Sequence, residues 1–267
     1  MPMLKLDGAN LYYETYGQGE AIVFLPGLGC CMKAWAPQTD FFAEKYRVIY
    51  LDLRGHGKSE PGDQAFTMPL FAKDLKGLLD SLGINSAAVC GLSLGSLVAQ
   101  QFAIDYPQSC MALILCGAHA HPGIKERFSG MLVPPVLKRY FKKKTPMDLA
   151  TATAAKVFPK PGQEQIREFY AKEVISTTAE GYLKSWNAVA LFDSYRYLES
   201  IKVPTLIYHG EEDDAFIRKQ AMLFQKCISH AVSKTMSDAG HIINLEKPDE
   251  FNRTVGDFLR EHVHETP

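Results

Sequence analysis

Residues 91–95 read Gly91-Leu92-Ser93-Leu94-Gly95, a G-x-S-x-G pentapeptide. The chemistry such a serine could do is nucleophilic attack on an acyl carbon. A serine hydroxyl is a weak nucleophile until a base takes its proton, and the base must in turn be held by a carboxylate. By itself the pentapeptide carries little weight, since it arises by accident in about one chain of this length in ten. What decides is whether the chain supplies a base, an acid and the elements that bring them to one point.

Of the eight histidines, His241 in SDAGHIINLEKPDEF has the right setting. It follows a strand-like run and a glycine and precedes a helix that starts around Pro248. Loops at the carboxyl ends of strands are where open α/β sheets place their sites. His119, His121, His230 and His262 fall in loops or on helix surfaces and His264 in the tail, all positions of solvated histidine. The carboxylates come from PTLIYHGEEDDAF, where Glu211, Glu212, Asp213 and Asp214 follow Gly210. All four remain open on this reading, and any of them gives the chain order serine, acid, histidine.

The elements that must position these groups alternate along the chain. AIVFLPG (21–27), RVIYLDL (47–53), SAAVCGL (86–92), MALILCG (111–117), PTLIYHG (204–210) and AVSKTMS (231–237) are strand candidates. Most are nearly continuous in apolar residues, as are strands covered on both faces of a parallel sheet. Between them lie helical patterns such as PLFAKDLKGLLDSLG (69–83), with Leu70, Phe71, Leu75, Leu78, Leu79 and Leu82 at helical spacing. The expected fold class is therefore α/β, a mostly parallel, doubly wound sheet of βαβ units. SAAVCGL leads into the pentapeptide, and Leu94, Leu97, Val98 and Phe102 continue at helical spacing until Pro107, which puts Ser93 at a strand-to-helix turn. The flanking glycines remove Cβ atoms that would clash there, and the helix N-terminus offers N–H groups and partial positive charge to an oxyanion.

The alternation breaks once. From about Ala118 to Ser200 no clear strand appears, and Pro122-Gly123, Pro134-Pro135 and Pro161-Gly162 separate helical pieces. This divides the chain into a core of residues 1–118 and 200–267 and an all-helical insertion of residues 119–199. The basic stretch KRYFKKKTP (138–146) reads as a solvated helix face.

Lys and Arg total 29 against 30 Asp and Glu, a net charge of −1, so no bulk field recruits nucleic acid or an anionic membrane. No apolar stretch approaches the roughly 18 residues of a membrane span. The start, MPMLKLDGANLYYETYG, alternates from Leu4 to Tyr16 like a strand rather than a secretory leader. The six cysteines lack C-x-x-C pairs and metal-type spacing with histidines. They are expected to be reduced packing thiols of a cytoplasmic protein with no metal and no cofactor, working as a monomer or homodimer on a small molecule.

Taken in order, the motifs resemble the α/β-hydrolase superfamily, in its lid-bearing esterase, lactonase and epoxide-hydrolase-like part, over essentially the whole chain. GLSLG is similar to its nucleophile elbow, LPGLGCCMKAW (25–35) to its oxyanion loop, DLRGHGKSE (52–60) to the sharp turn after the next strand, and AGHIINLEKPDEF (239–251) to its histidine loop. Carried over residue by residue, the resemblance implies Ser93 as nucleophile, His241 as base and Asp213 as acid, with the N–H groups of Leu28 and Leu94 as oxyanion hole. His56 would support its turn. The chain departs from the family pattern at Pro26-Gly27, where His-Gly is usual, and at Ser96, where a second glycine is common. A serine nucleophile argues against the branches that attack with an aspartate, and the oxyanion loop lacks the Gly-rich run of the carbon–carbon bond hydrolases. The resemblance thus implies hydrolysis of a small apolar ester or lactone through an acyl-enzyme, under a helical lid of residues 119–199. Phe128, Met131, Leu132, Trp186, Phe192 and Tyr195 are its candidates for an acyl pocket. A slow-turnover ligand receptor, or thioesterase, perhydrolase or lyase chemistry on the same residues, are the alternatives.

Overall fold

The computed structural model describes residues 2–122 and 145–263, together with 135, 136 and 139. Among the described residues the strands are β1 (Met3–Leu6), β2 (Ala9–Tyr16), β3 (Ala21–Leu25), β4 (Arg47–Leu51), β5 (Ala87–Leu92), β6 (Cys110–Cys116), β7 (Thr205–Gly210) and β8 (Val232–Met236). They form one sheet in the order β1-β2-β4-β3-β5-β6-β7-β8. The hairpin β1–β2 and the pair β2–β4 are antiparallel, and every later pair is parallel. All six strand candidates of the sequence are present, shifted by a residue or two at their ends.

The helices in chain order are α1 (Thr39–Ala43), α2 (Met68–Ser81), α3 (Leu94–Asp105), α4 (Pro146–Val157), α5 (Glu164–Phe169), α6 (Ala179–Leu191), α7 (Ala215–Cys227), α8 (Ile243–Glu246) and α9 (Pro248–His262). Strand side chains alternate between two cores. On β3, Val23 and Leu25 join Phe71, Leu97, Phe102 and Phe224 of α2, α3 and α7, whereas Ile22 and Phe24 join Trp35, Phe42 and Phe251 beside α1 and α9. This is the double layer that continuous apolar strands require. Each fully buried large apolar side chain contributes about 1.5–3 kcal/mol.

Strand order reverses between β3 and β5: β4 lies on one side of β3, and the chain then crosses to the other. A crevice opens at the carboxyl ends of the strands where the winding changes direction. The residues after β3, β5, β6, β7 and β8 therefore face a common space.

Everything between β6 and β7, neighbours in the sheet, is one excursion of the chain. Its described part is mainly helical, with α4 opened by a capping box between Thr145 and Asp148 and Phe158 packed edge-on against Tyr170, ring centroids 5.2 Å apart. One feature departs from the all-helical expectation. Residues 175–177 follow the helical turn Tyr170–Val174 as an extended run, and the segment bridges to the core: Cys31 N–H donates to the Val174 carbonyl, Ser176 N–H to that of Gly29 and Gly57 N–H to that of Ser176, at 2.9, 2.9 and 2.7 Å. Cys30 pairs with Ile175 and His56 with Thr177 as isolated bridges. Three extended residues paired to two loops, without apolar alternation, leave no periodic signal in the sequence.

The turn after β4 is pinned from below. Arg54, fully buried, makes a two-pronged contact with Asp74 of α2, Nη2 to Oδ1 being 2.8 Å, and Nη2 also donates to the Leu6 carbonyl at 3.1 Å. Removing one member of such a pair strands a buried charge, which typically costs about 3–5 kcal/mol. Asp74→Ala should therefore lower unfolding stability by about 3–5 kcal/mol in urea denaturation, and a loss below about 1 kcal/mol would show that water reaches the guanidinium.

Candidate active site

Ser93 stands between the end of β5 and the start of α3 with φ 53° and ψ −116°, a left-handed conformation for a residue with a side chain. Such a conformation costs on the order of 1–3 kcal/mol and persists only where surroundings impose it. The imposing feature is close packing of the turn. A Cβ at Gly95 would lie 2.1 Å from the Leu25 carbonyl oxygen, and one at Gly91 would lie 2.2 Å from that of Gly95. Backbone bonds complete the fixing: Ser93 N–H donates to the Cys116 carbonyl at 2.9 Å, and the Ser93 carbonyl accepts from Ser96 N–H at 2.9 Å. Ser96, the departure from a second glycine, fits because its hydroxyl also donates to the Ser93 carbonyl, at 2.6 Å.

His241 follows β8 and Asp213 follows β7. The imidazole Nδ1 lies 2.9 Å from Oδ2 and 3.0 Å from Oδ1 of Asp213, whose side chain is buried. Asp213 Oδ1 also accepts the Asp214 N–H at 2.7 Å. The Asp214 carboxylate turns the other way and caps α7, accepting Phe216 N–H at 2.8 Å. Burial pushes the His241 imidazole down, but the Asp213 carboxylate more than offsets this, with help from Glu246 and Asp214, and holds it above its ordinary value.

Gly117, the residue after β6, makes room for this pair. It has φ 55°, and a Cβ there would stand 2.7 Å from His241 Cε1 and 3.0 Å from Nδ1. Sequence reasoning passed over it, although a glycine directly after an apolar strand is a visible signal. His119 corrects the solvated reading: it is largely enclosed, its ring 5.8 Å from that of Phe216, and burial first, then the neighbouring His121 and His241, push it down to about 4. His56 is fully buried with Nδ1 2.9 Å from the Arg54 carbonyl, and burial pushes it also down to about 4, in keeping with support of its turn.

Ser93, His241, Asp213 and Leu28 line one cavity of about 570 Å³. Leu94 opens α3 beneath it, and a first helical N–H has no acceptor within its own helix. Of the acyl-pocket candidates, Trp186 lines this cavity and Phe192 and Tyr195 do not. Phe192 lies just beyond the end of α6 and is buried in the core with α3, while Tyr195 is 47% exposed and packs edge-on against His121. Tyr182 stands one turn before Trp186 on α6 and also lines the cavity, so the pair was accessible to reasoning by i, i+4 spacing. Phe128, Met131 and Leu132 lie outside the described residues. Tyr170 and Ile217 are apolar lining that the sequence did not suggest, and Lys156, Lys160, Glu212 and Asp214 give the same cavity a charged part. Lys160, from the excursion, pairs with Glu212 beside Asp213 at 2.8 Å and with Asp238 before His241.

The chain is similar to known proteins over nearly its whole length. 3-Oxoadipate enol-lactonase 2 of Acinetobacter baylyi is 29% identical over 258 residues, 94% of each chain. The solved enol-lactonase of Burkholderia xenovorans LB400 superposes with a TM-score of 0.85 at 28% identity, covering 97% of this chain and all of that one. A thermophilic esterase from Thermogutta terrifontis gives the same TM-score at 26% identity, over 96% of this chain and 95% of that one. The family model for the alpha/beta hydrolase fold matches residues 20–248, most of the chain. The chain belongs to the α/β-hydrolase fold family.

Proposed function

We propose that the protein is a serine hydrolase that cleaves a small carboxylic ester or lactone through an acyl-enzyme. The observation that carries this reading is a strained, part-buried serine in the same cavity as a histidine whose Nδ1 is held by a buried carboxylate. In this reading Ser93 Oγ attacks the acyl carbon while His241 Nε2 takes its proton, and Asp213, on Nδ1, fixes the tautomer and stabilises the imidazolium. The N–H groups of Leu28 and Leu94 receive the oxyanion, each donor of this kind being worth about 2.7–4 kcal/mol of barrier. His241 then protonates the leaving alcohol and deprotonates the water that frees the acid. Residues 119–199 act as the lid, and Trp186, Tyr182, Tyr170 and Ile217 receive the apolar part of the substrate. The names of the enol-lactonase and esterase relatives support this bond class. All six cysteines are free thiols, which supports a cytoplasmic setting.

The deciding experiment is a panel of aryl esters of rising acyl length with simple lactones, run beside fluorophosphonate labelling. Multiple turnover and covalent labelling at Ser93, both abolished in Ser93→Ala, are expected. A folded protein that neither turns over nor labels overturns the proposal, and one that binds the panel without turnover is a receptor.

Neutral His241 is the active form, so activity is lost as pH falls through its pKa. Because that pKa is raised above 6.5, the acid limb of kcat/KM should have its midpoint above 6.5. A limb well below 6.5, with chemistry rate-limiting, would remove His241 as the base.

Asp213→Asn should lower turnover at least about a hundredfold, a cautious floor beneath the roughly 10⁴-fold seen when a serine protease loses this carboxylate. Asp214→Asn should stay within about tenfold, since its charge acts only through a screened field and Asn caps a helix as well as Asp. Assaying both on one ester, with circular dichroism for folding, checks the assignment; the reverse pattern would transfer the acid to Asp214.

A further inference from the structure

The loop that carries His241 is closed by a side chain five residues further on. Glu246, the last residue of α8, reaches back so that Gly240 N–H donates to its carboxylate with both oxygens at 3.0 Å, and Ile242 N–H donates to Oε1 at 3.2 Å. The N–H groups of the residues immediately before and after His241 thus share one acceptor. The packing is close: a Cβ at residue 240 would stand 3.2 Å from Oε1. From the excursion, Gln163 Nε2 donates to Oε2 at 3.5 Å. The carboxylate also lines the cavity of Ser93 and His241.

We propose that Glu246 is a positioning residue for His241: by clipping the N–H groups of its two chain neighbours, the carboxylate sets where the imidazole stands and adds a negative charge behind it. The inference rests on His241 being the base. Loop residues lose their geometry cheaply unless backbone donors are tied, and displacement of a reacting group by about 1 Å can cost about 10²-fold in rate. The charged and titratable groups around the imidazole are Asp213 and Asp214 after β7, Glu246 on its own loop, and His119 after β6; Lys160 faces Glu246 from the excursion. Among these, Glu246 acts on the imidazole in the same direction as Asp213 and against burial.

Two variants separate the clip from the charge. Oε1 alone lies within reach of both N–H groups, so Glu246→Gln keeps an acceptor for each while removing the charge, and Glu246→Ala removes both. On one ester, Glu246→Ala should lower plateau kcat about tenfold or more with little change in KM, and Glu246→Gln should recover most of that loss. In both, the His241 titration midpoint, followed by NMR of the imidazole Cε1–H and assigned with His241→Gln, should fall by about half a pH unit. A purely structural role would lower the melting temperature of both variants without moving that midpoint. The proposal is overturned if the midpoint stays at the wild-type value in Glu246→Gln, or if folded Glu246→Ala keeps wild-type kcat. Should Glu246→Ala fail to fold, the Glu246→Gln midpoint decides alone. The titration needs no turnover, so failure of wild type on every ester defeats the serine-hydrolase reading while leaving the clip to be judged by NMR.

Discussion

The structure depends on one close approach, that of the first turn of α3 to the end of β3. Gly95 comes so near the Leu25 carbonyl that no side chain fits, and the chain can make this approach only by turning through Ser93 with a positive φ. That turn fixes the serine over the carboxyl edge of the sheet, sets the end of α3 under the cavity, and brings the loop after β3 alongside. The core elsewhere is ordinary two-layer packing. At this corner backbone strain is held in place by the burial of everything around it.

Much of this was legible in the residues, and the reasons are specific. The strands are continuous in apolar residues because both faces are covered, so AIVFLPG or MALILCG announces itself without neighbours. Ser93 and His241 follow strand ends, so their lining one cavity follows once the strands are placed. The choice among Glu211, Glu212, Asp213 and Asp214 did not follow from spacing, since four carboxylates in a loop differ only in the direction each side chain takes. The resemblance pointed to Asp213, which is the carboxylate found on Nδ1.

The rest was hidden for reasons of the same kind. Which apolar side chains of the excursion face the cavity depends on how its helices are set down, and Phe192, just beyond the end of α6, falls on the core side while Trp186 within it does not. His119 reads as a loop histidine yet is enclosed, because the turn after β6 folds under Phe216. Gly117 and Glu246 act through space on a residue more than a hundred positions away or through a bend in their own loop. Neither relation has a period.

The extended segment 175–177 has a consequence for how such a protein can be altered. Its backbone is bonded into the loops at Gly29, Cys31 and Gly57, so the excursion is not a module resting on the core by side chains alone. A chimera that grafts residues 119–199 from a relative also replaces the partner strand of residues 29–31 and 55–57. Recombination within this fold should be made with those loops as part of the transferred unit, for the graft and the loop that faces Ser93 are inherited as one piece.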